Sequence, residues 1–254
     1  MKYIKEVVLA ALFAAPVAGL AQDAGAAEAE TGVKWERNVG LGATFRDGNT
    51  QKSLFTMNLK GDRFSDDFDL INSLYAEYGK TGTPTTSKEQ TEGQVRGQSE
   101  YRFKFGDSKM FAGAYVVGLH DAIKRIRFRG KLGPSIGYYF IDEDDMKLDA
   151  TFGLNYVYER TASNERTYGE YRAALNYLWK ITDRASYYLN LEYNANMEEV
   201  DTDNNGLLVT GVRSQVFESL SMFVELRDEY DNLPDSGVAE HNDITVLAGL
   251  SYDF

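Results

Sequence analysis

From Lys34 to the end of the chain, apolar and polar residues alternate with a period of two, and the last stretch shows it most cleanly. Ile244, Val246, Ala248, Leu250, Tyr252 and Phe254 share one face, while Asp243, Thr245, Gly249, Ser251 and Asp253 share the other. Only Leu247 breaks the second face. A period of two places successive side chains on opposite sides of a strand. A strand that is greasy on one side and polar on the other suits a wall between lipid and a polar lumen. Such a wall must close on itself, because an open sheet edge in lipid leaves backbone groups unpaired.

The pattern repeats often enough to count. Trp35, Val39, Leu41, Ala43 and Phe45 make one apolar face, and Phe55, Met57 and Leu59 make the next. Phe68, Leu70, Leu74 and Tyr78 follow, with Asn72 on their greasy side, and then Val95, Tyr101, Phe103 and Phe105. Further apolar faces fall at Phe111, Tyr115, Val117 and Leu119, at Phe128, Leu132, Ile136, Tyr138 and Phe140, and at Leu148, Phe152, Leu154, Tyr156 and Tyr158. Tyr171 to Ile181, Tyr187 to Tyr193 and Leu220 to Leu226 continue the series, while residues 206–217 have mixed faces and no readable register. The expectation is an all-β, up-and-down antiparallel transmembrane β-barrel of about 12 strands, an even number as in bacterial single-chain barrels.

The connections support it. Every second one is tight and polar (65–67, 106–108, 142–145, 182–184, 218–219), and the others are mostly longer (79–92, 121–125, 197–204, 231–240), with 47–50 the short exception. Segregation of loop length by parity is expected of periplasmic turns facing extracellular loops. Trp35, Tyr78, Tyr101, Tyr158, Tyr168, Trp179, Tyr193, Tyr230, Tyr252 and Phe254 fall toward strand ends, where they would form interfacial girdles.

Residues 1–21 read as a cleaved secretory signal, with Lys2 and Lys5 ahead of an apolar run of roughly 14 residues, short of the ~20 that span a bilayer. Residues 22–33 read as a flexible segment and residues 34–254 as the barrel. The chain has no cysteine, so disulfides play no part. Its net charge of −12 argues against nucleic-acid binding. No cofactor motif is present, and the expected partners are outer-membrane lipid and lipopolysaccharide, with the protein a monomer.

The end of the chain, with Gly249, Tyr252 and the terminal aromatic Phe254, resembles the C-terminal targeting strand of outer-membrane barrels, which the barrel-assembly machinery reads during insertion. Three segments carry a second resemblance: residues 40–50 (GLGATFRDGNT), residues 133–140 (GPSIGYYF) and residues 175–183 (LNYLWKITD). With the aromatic end, they make the chain similar to the salt-induced outer-membrane protein family, domain of unknown function 481. That resemblance implies an outer-membrane location and a link to salt or osmotic stress. It implies no catalytic or binding residue.

Two constellations are candidates for chemistry. Asp201-x-Asp203-x-Asn205-Gly206 matches the start of a calcium loop, although Val212 stands where the bidentate Glu belongs, so an acidic turn explains it as well. The second is lumen-facing charge: Arg96, Glu100, Arg102 and Lys104 on one inner face, Arg127, Arg129 and Lys131 on another, Lys147, Asp149 and Glu159 on a third, and Glu225, Arg227 and Glu229 on a fourth. Buried charges must pair or stay wet. They therefore form either a cross-linked interior or a narrow path for ions or small solutes. A lipid hydrolase is the third reading, resting on His120 and His241, both expected to face inward. No serine stands in a nucleophile motif beside them, and the expected function is non-enzymatic.

Overall fold

The computed structural model describes residues 33–46, 51–83, 85–235, 238 and 240–254. The expected export signal, the segment up to residue 32 and the turn at 47–50 lie outside the described residues. Twelve strands form a closed barrel in which each strand is antiparallel to its sequence neighbours and the last pairs with the first. They are β1 (Lys34–Arg46), β2 (Gln51–Phe64), β3 (Phe68–Thr83), β4 (Thr86–Lys104), β5 (Met110–Asp121) and β6 (Ile126–Asp142). The ring continues with β7 (Met146–Thr161), β8 (Glu165–Thr182), β9 (Ala185–Asn196), β10 (Asn204–Gln215), β11 (Leu220–Asp231) and β12 (Asn242–Asp253). Tight turns gather at one end of the barrel, called the turn end below, and the longer connections at the other, the loop end.

The outward face is apolar. Leu41, Leu132, Ile136, Leu154, Val224 and Val246 are all exposed on it, and aromatic residues such as Tyr138, Phe140, Trp179 and Tyr252 toward the turn end and Phe55, Tyr78 and Tyr193 toward the loop end edge the band. The inward face holds most of the buried polar side chains. This inverts the distribution of a water-soluble domain, as a lipid-facing wall requires.

Several expectations are corrected. Phe111, Tyr115 and Val117 face the lumen, not lipid, and are 0%, 1% and 3% exposed. The opposite face of β5 is Ala112, Ala114, Val116 and Gly118, so both faces are apolar and polarity cannot set the register. The inward choice gives the rings room, since Phe111 packs where Gly137 has no side chain. The connection expected at 79–92 is instead mostly strand, because β3 and β4 continue as a hairpin to Thr83 and Thr86. Tyr168 turns inward beneath Arg166 rather than joining a girdle.

Asn72 does sit on the greasy side of β3. It is buried there because its amide donates to the Gly61 carbonyl at 2.8 Å and accepts from Ser99 Oγ at 2.8 Å. The unreadable strand, β10, pairs Val209 with Asn190 and Gly211 with Tyr188, which turns Leu207 and Val209 inward and Thr210 outward. Thr210 is satisfied by the Tyr188 carbonyl at 3.1 Å.

Candidate functional site

The lumen divides into two halves. The half toward the turn end is a vestibule of about 440 Å³, whose wall includes Asn58, Lys60, Asp62, Gln98, Tyr188 and Asn190. Its floor and the loop-end half are crossed by side chains that meet across the ring.

Glu192 is the central node. Its Oε1 accepts from Arg96 Nη2 at 3.0 Å and Asn194 Nδ2 at 3.0 Å; its Oε2 accepts from the Tyr115 hydroxyl at 2.9 Å and Arg172 Nε at 3.1 Å. Arg96 and Tyr115 reach it from β4 and β5, on the far side of the barrel from β9. Arg172 also approaches Glu100 Oε2 at 3.5 Å and lies 3.7 Å over the Tyr115 ring. Below this node Arg102 bridges Glu100 at 2.8 Å and Asp149 at 3.1 Å. Lys104 meets Asp69 at 2.8 Å.

Toward the loop end the crossings continue. Lys131 Nζ is 2.8 Å from Glu170 Oε2, whose other oxygen accepts from Asn155 at 3.1 Å. Arg129 pairs with Glu159 and reaches Asp231 at 3.6 Å. Lys124, in the connection between β5 and β6, folds over the mouth to Glu229 at 2.8 Å and Asp243 at 3.2 Å. Gln94 donates to the same Glu229 at 3.0 Å from across the ring. Arg227 lies 3.8 Å over the Tyr75 ring, and Glu225 accepts from the Tyr188 hydroxyl at 2.8 Å. One patch of this interior is apolar: Leu54, Tyr75, Phe223 and Leu247 form a buried cluster. Leu247, the exception in the closing strand, belongs to it.

Desolvating so many charges is costly, and paired geometry with extra hydrogen bonds is what offsets it. Most of these pairs meet that condition, while Arg172 Nη1, Arg227 Nε and Glu225 Oε1 are buried without a hydrogen-bond partner among the described residues, and the side chains that cross the loop-end half narrow any path through it.

Of the charges expected in the lumen, Arg96, Glu100, Arg102, Lys104, Arg129, Lys131, Glu225 and Arg227 all line it. Arg127 does not. A register shift between Ile126 and Phe128 makes it the extra residue of a bulge and leaves it exposed, while Ile126 takes the inward place. The residues that organise the network, Glu192, Arg172 and Glu170, lie on β8 and β9. Their inward positions were legible there as polar alternates of the Tyr171–Ile181 and Tyr187–Tyr193 faces.

Asp201, Asp203 and Asn205 are not brought together as a cation site. Asp203 is buried and takes Arg166 in a fork at 2.6 and 3.3 Å, with Asn196 adding a bond at 2.9 Å. Asn205 accepts from Asn194 at 3.1 Å, and Asp201 is exposed. Among the described residues no three His, Asp or Glu side chains gather as metal ligands. His120, expected inward, is exposed on the outer side of β5, where its Nδ1 donates to the Arg127 carbonyl at 2.9 Å. His241 donates to the Asp231 carbonyl at 2.9 Å. Neither meets a serine.

A closed ring of twelve strands, apolar outside and ion-paired inside, defines an integral outer-membrane β-barrel. Solved barrels of that class share the fold. The NanC porin matches with a TM-score of 0.50 at 7% identity, over 86% of this chain and all of that one. An outer-membrane channel from Pseudomonas putida F1 gives 0.47 at 11% identity, over 87% of this chain and 94% of that one. The translocator domain of the autotransporter NalP from Neisseria meningitidis gives 0.44 at 11% identity, over 100% and 97%. Identities this low speak to the fold alone, and that conclusion rests on the first. No curated protein sequence matches significantly. The chain belongs to the DUF481 family, a protein family of unknown function, whose model matches residues 39–254.

Proposed function

We propose that this outer-membrane barrel is non-enzymatic and closed to steady flow, with its loops and their lipopolysaccharide contacts outside the cell and its vestibule open to the periplasm. The observation that carries the reading is the set of cross-lumen ties centred on Glu192. Arg96, Tyr115 and Arg172 reach one carboxylate from three other strands, leaving side chains where a pore would hold water.

Planar-bilayer conductance tests it. The wild-type barrel should give a silent baseline, and Arg172→Ala with Glu192→Ala should give discrete openings. Steady wild-type conductance would overturn the reading in favour of a narrow channel for ions or small solutes. The vestibule is the specific support for that second reading, since it already carries a polar path from the turn end to the Glu192 level.

We further propose that Gly249, Tyr252 and Phe254 act as the assembly signal. Tyr252 and Phe254 stack at 6.4 Å on the outer face, open to a reader. A response to salt is a separate proposal resting on the family likeness, tested by measuring the protein's abundance after an osmotic upshift.

A further inference from the structure

The barrel wall is not zipped evenly. Every pair of sequence-adjacent strands shares at least eleven register partners, such as thirteen for β1 with β2. The seam between β1 and β12 has five, joining Asn38–Gly42 to Gly249–Asp253. Toward the loop end, among the described residues, Ala43–Arg46 and Asn242–Ala248 have no partner across the seam. Each stretch keeps its other neighbour, β2 and β11 respectively. Continuing the register would set Thr44 opposite Leu247; instead Thr44, inward by alternation, is exposed. The wall is therefore parted over the loop-end half of one seam.

What borders the opening on each side is chemically specific. On the lipid side both lips continue the apolar band, with Phe45 68% and Val246 61% exposed. On the lumen side, where most of the interior is charged, the apolar patch of Leu54, Tyr75, Phe223 and Leu247 stands behind it. Leu247 is on one lip strand, and Leu54 is the β2 partner of Thr44 on the other. Phe223 reaches the patch over Gly249, where a side chain would block it, and lies against Gly40.

We propose that this half-open seam is a lateral port for a lipid acyl chain. A chain from the leaflet around the loop end enters between the two lips and inserts against the Leu54–Tyr75–Phe223–Leu247 cluster, whose side chains are buried against one another and part to admit it. Lipid is favoured because it bathes both lips, whereas a polar solute from the lumen would first have to break the ion-pair network. The unpaired backbone N–H groups of the lips match the ester oxygens of the same lipid, which satisfies donors that hydrocarbon alone would leave orphaned. The inference goes beyond the closed-lumen reading and does not depend on it, since it concerns the wall.

Quenching by brominated lipid tests the port. With the two native tryptophans replaced (Trp35→Phe, Trp179→Phe), a single reporter is placed by Leu247→Trp, Val246→Trp or Val157→Trp, and folding is checked by heat-modifiable gel migration. In vesicles of dibrominated phosphatidylcholine, Trp at 246 should be quenched as a lipid-facing residue and Trp at 157, inside the opposite wall, should be spared. The port predicts quenching at 247 of about half that at 246, and its loss when Ala43→Cys and Ala248→Cys are oxidised to lock the lips in a chain with no other cysteine. Leu54→Trp serves as the reporter should the variant at 247 not fold. Protection at the lumen-facing seam reporter equal to that at 157, or quenching there that ignores the lock, overturns the proposal.

Discussion

Glu192→Gln removes the charge at the centre of the lumen while keeping the side-chain volume. The carboxylate accepts four hydrogen bonds at 2.9–3.1 Å, two of them from guanidinium groups. A glutamine retains one acceptor oxygen and turns an NH₂ toward the other donors, so at least one arginine N–H faces a donor. Removing one partner of a buried ion pair costs about 3–5 kcal/mol. Arg172 keeps Glu100 at 3.5 Å, which places the expected loss toward the low end, about 3 kcal/mol.

Equilibrium urea unfolding of the barrel in lipid vesicles, followed by tryptophan fluorescence, measures this as a lower midpoint at unchanged slope. Adding Arg96→Met removes one stranded cation, so the double variant should be more stable than the sum of the singles by about 1–2 kcal/mol. A Glu192→Gln loss under about 0.5 kcal/mol, the size of an ordinary surface change, would refute the claim that this node is desolvated.

Lys124→Met should cost about 1.5–3 kcal/mol by stripping Glu229 of a charged donor, read in the same unfolding assay. Burial works against the Lys124 charge, but Glu229 and then Asp243 and Asp121 outweigh it and hold its pKa above the ordinary 10.5. A raised folded-state value means this stabilisation is complete below pH 10.5 and is lost as pH climbs through the folded value. Wild type should therefore lose stability above about pH 10.5 by more than Lys124→Met does. Gly249→Val should weaken the seam by about 1–3 kcal/mol or more, because a Cβ there strikes the Leu41 carbonyl oxygen and falls 2.7 Å from Phe223 Cζ; slower appearance of the heat-modifiable form is the readout. Ile136→Lys, on the lipid face near the middle of β6, should cost about 2–4 kcal/mol by urea unfolding, whereas an aqueous outer face would tolerate it.

The wall was legible in the sequence because one rule, apolar outward and polar inward, governs most strands, as β4 and β12 show. It failed where chemistry blurs the rule. In β5 a face of Ala and Gly is apolar enough for lipid, which frees Phe111 and Tyr115 to fill the lumen. In β10 both faces are apolar, with Leu208 and Val212 outward, while Leu207 and Val209 point inward beside Glu192 and Arg227. Arg127 had the right alternation, and a bulge that no local residue announces turned it out. The site was half legible: alternation names the inward charges but not their partners, because Glu192 and Arg96 meet only when distant strands curve toward each other. Asp203 looked like a ligand in a line of sequence, and the fold places Arg166 beside it.

The ties across the lumen also set an order of events in assembly. Backbone ladders join strands adjacent in sequence, so hairpins build the wall locally, with only the seam left to the end. Arg96 and Glu192 are 96 residues apart, and Gln94 and Glu229 are 135 apart. No hairpin or half-built sheet can hold such a pair, and contacts so distant in sequence form slowly. Each of these charges must travel into the membrane still hydrated and shed its water only as the sheet curls shut. An unclosed intermediate is consequently a wet, charged trough, and expulsion of that water marks the moment at which closure becomes hard to reverse.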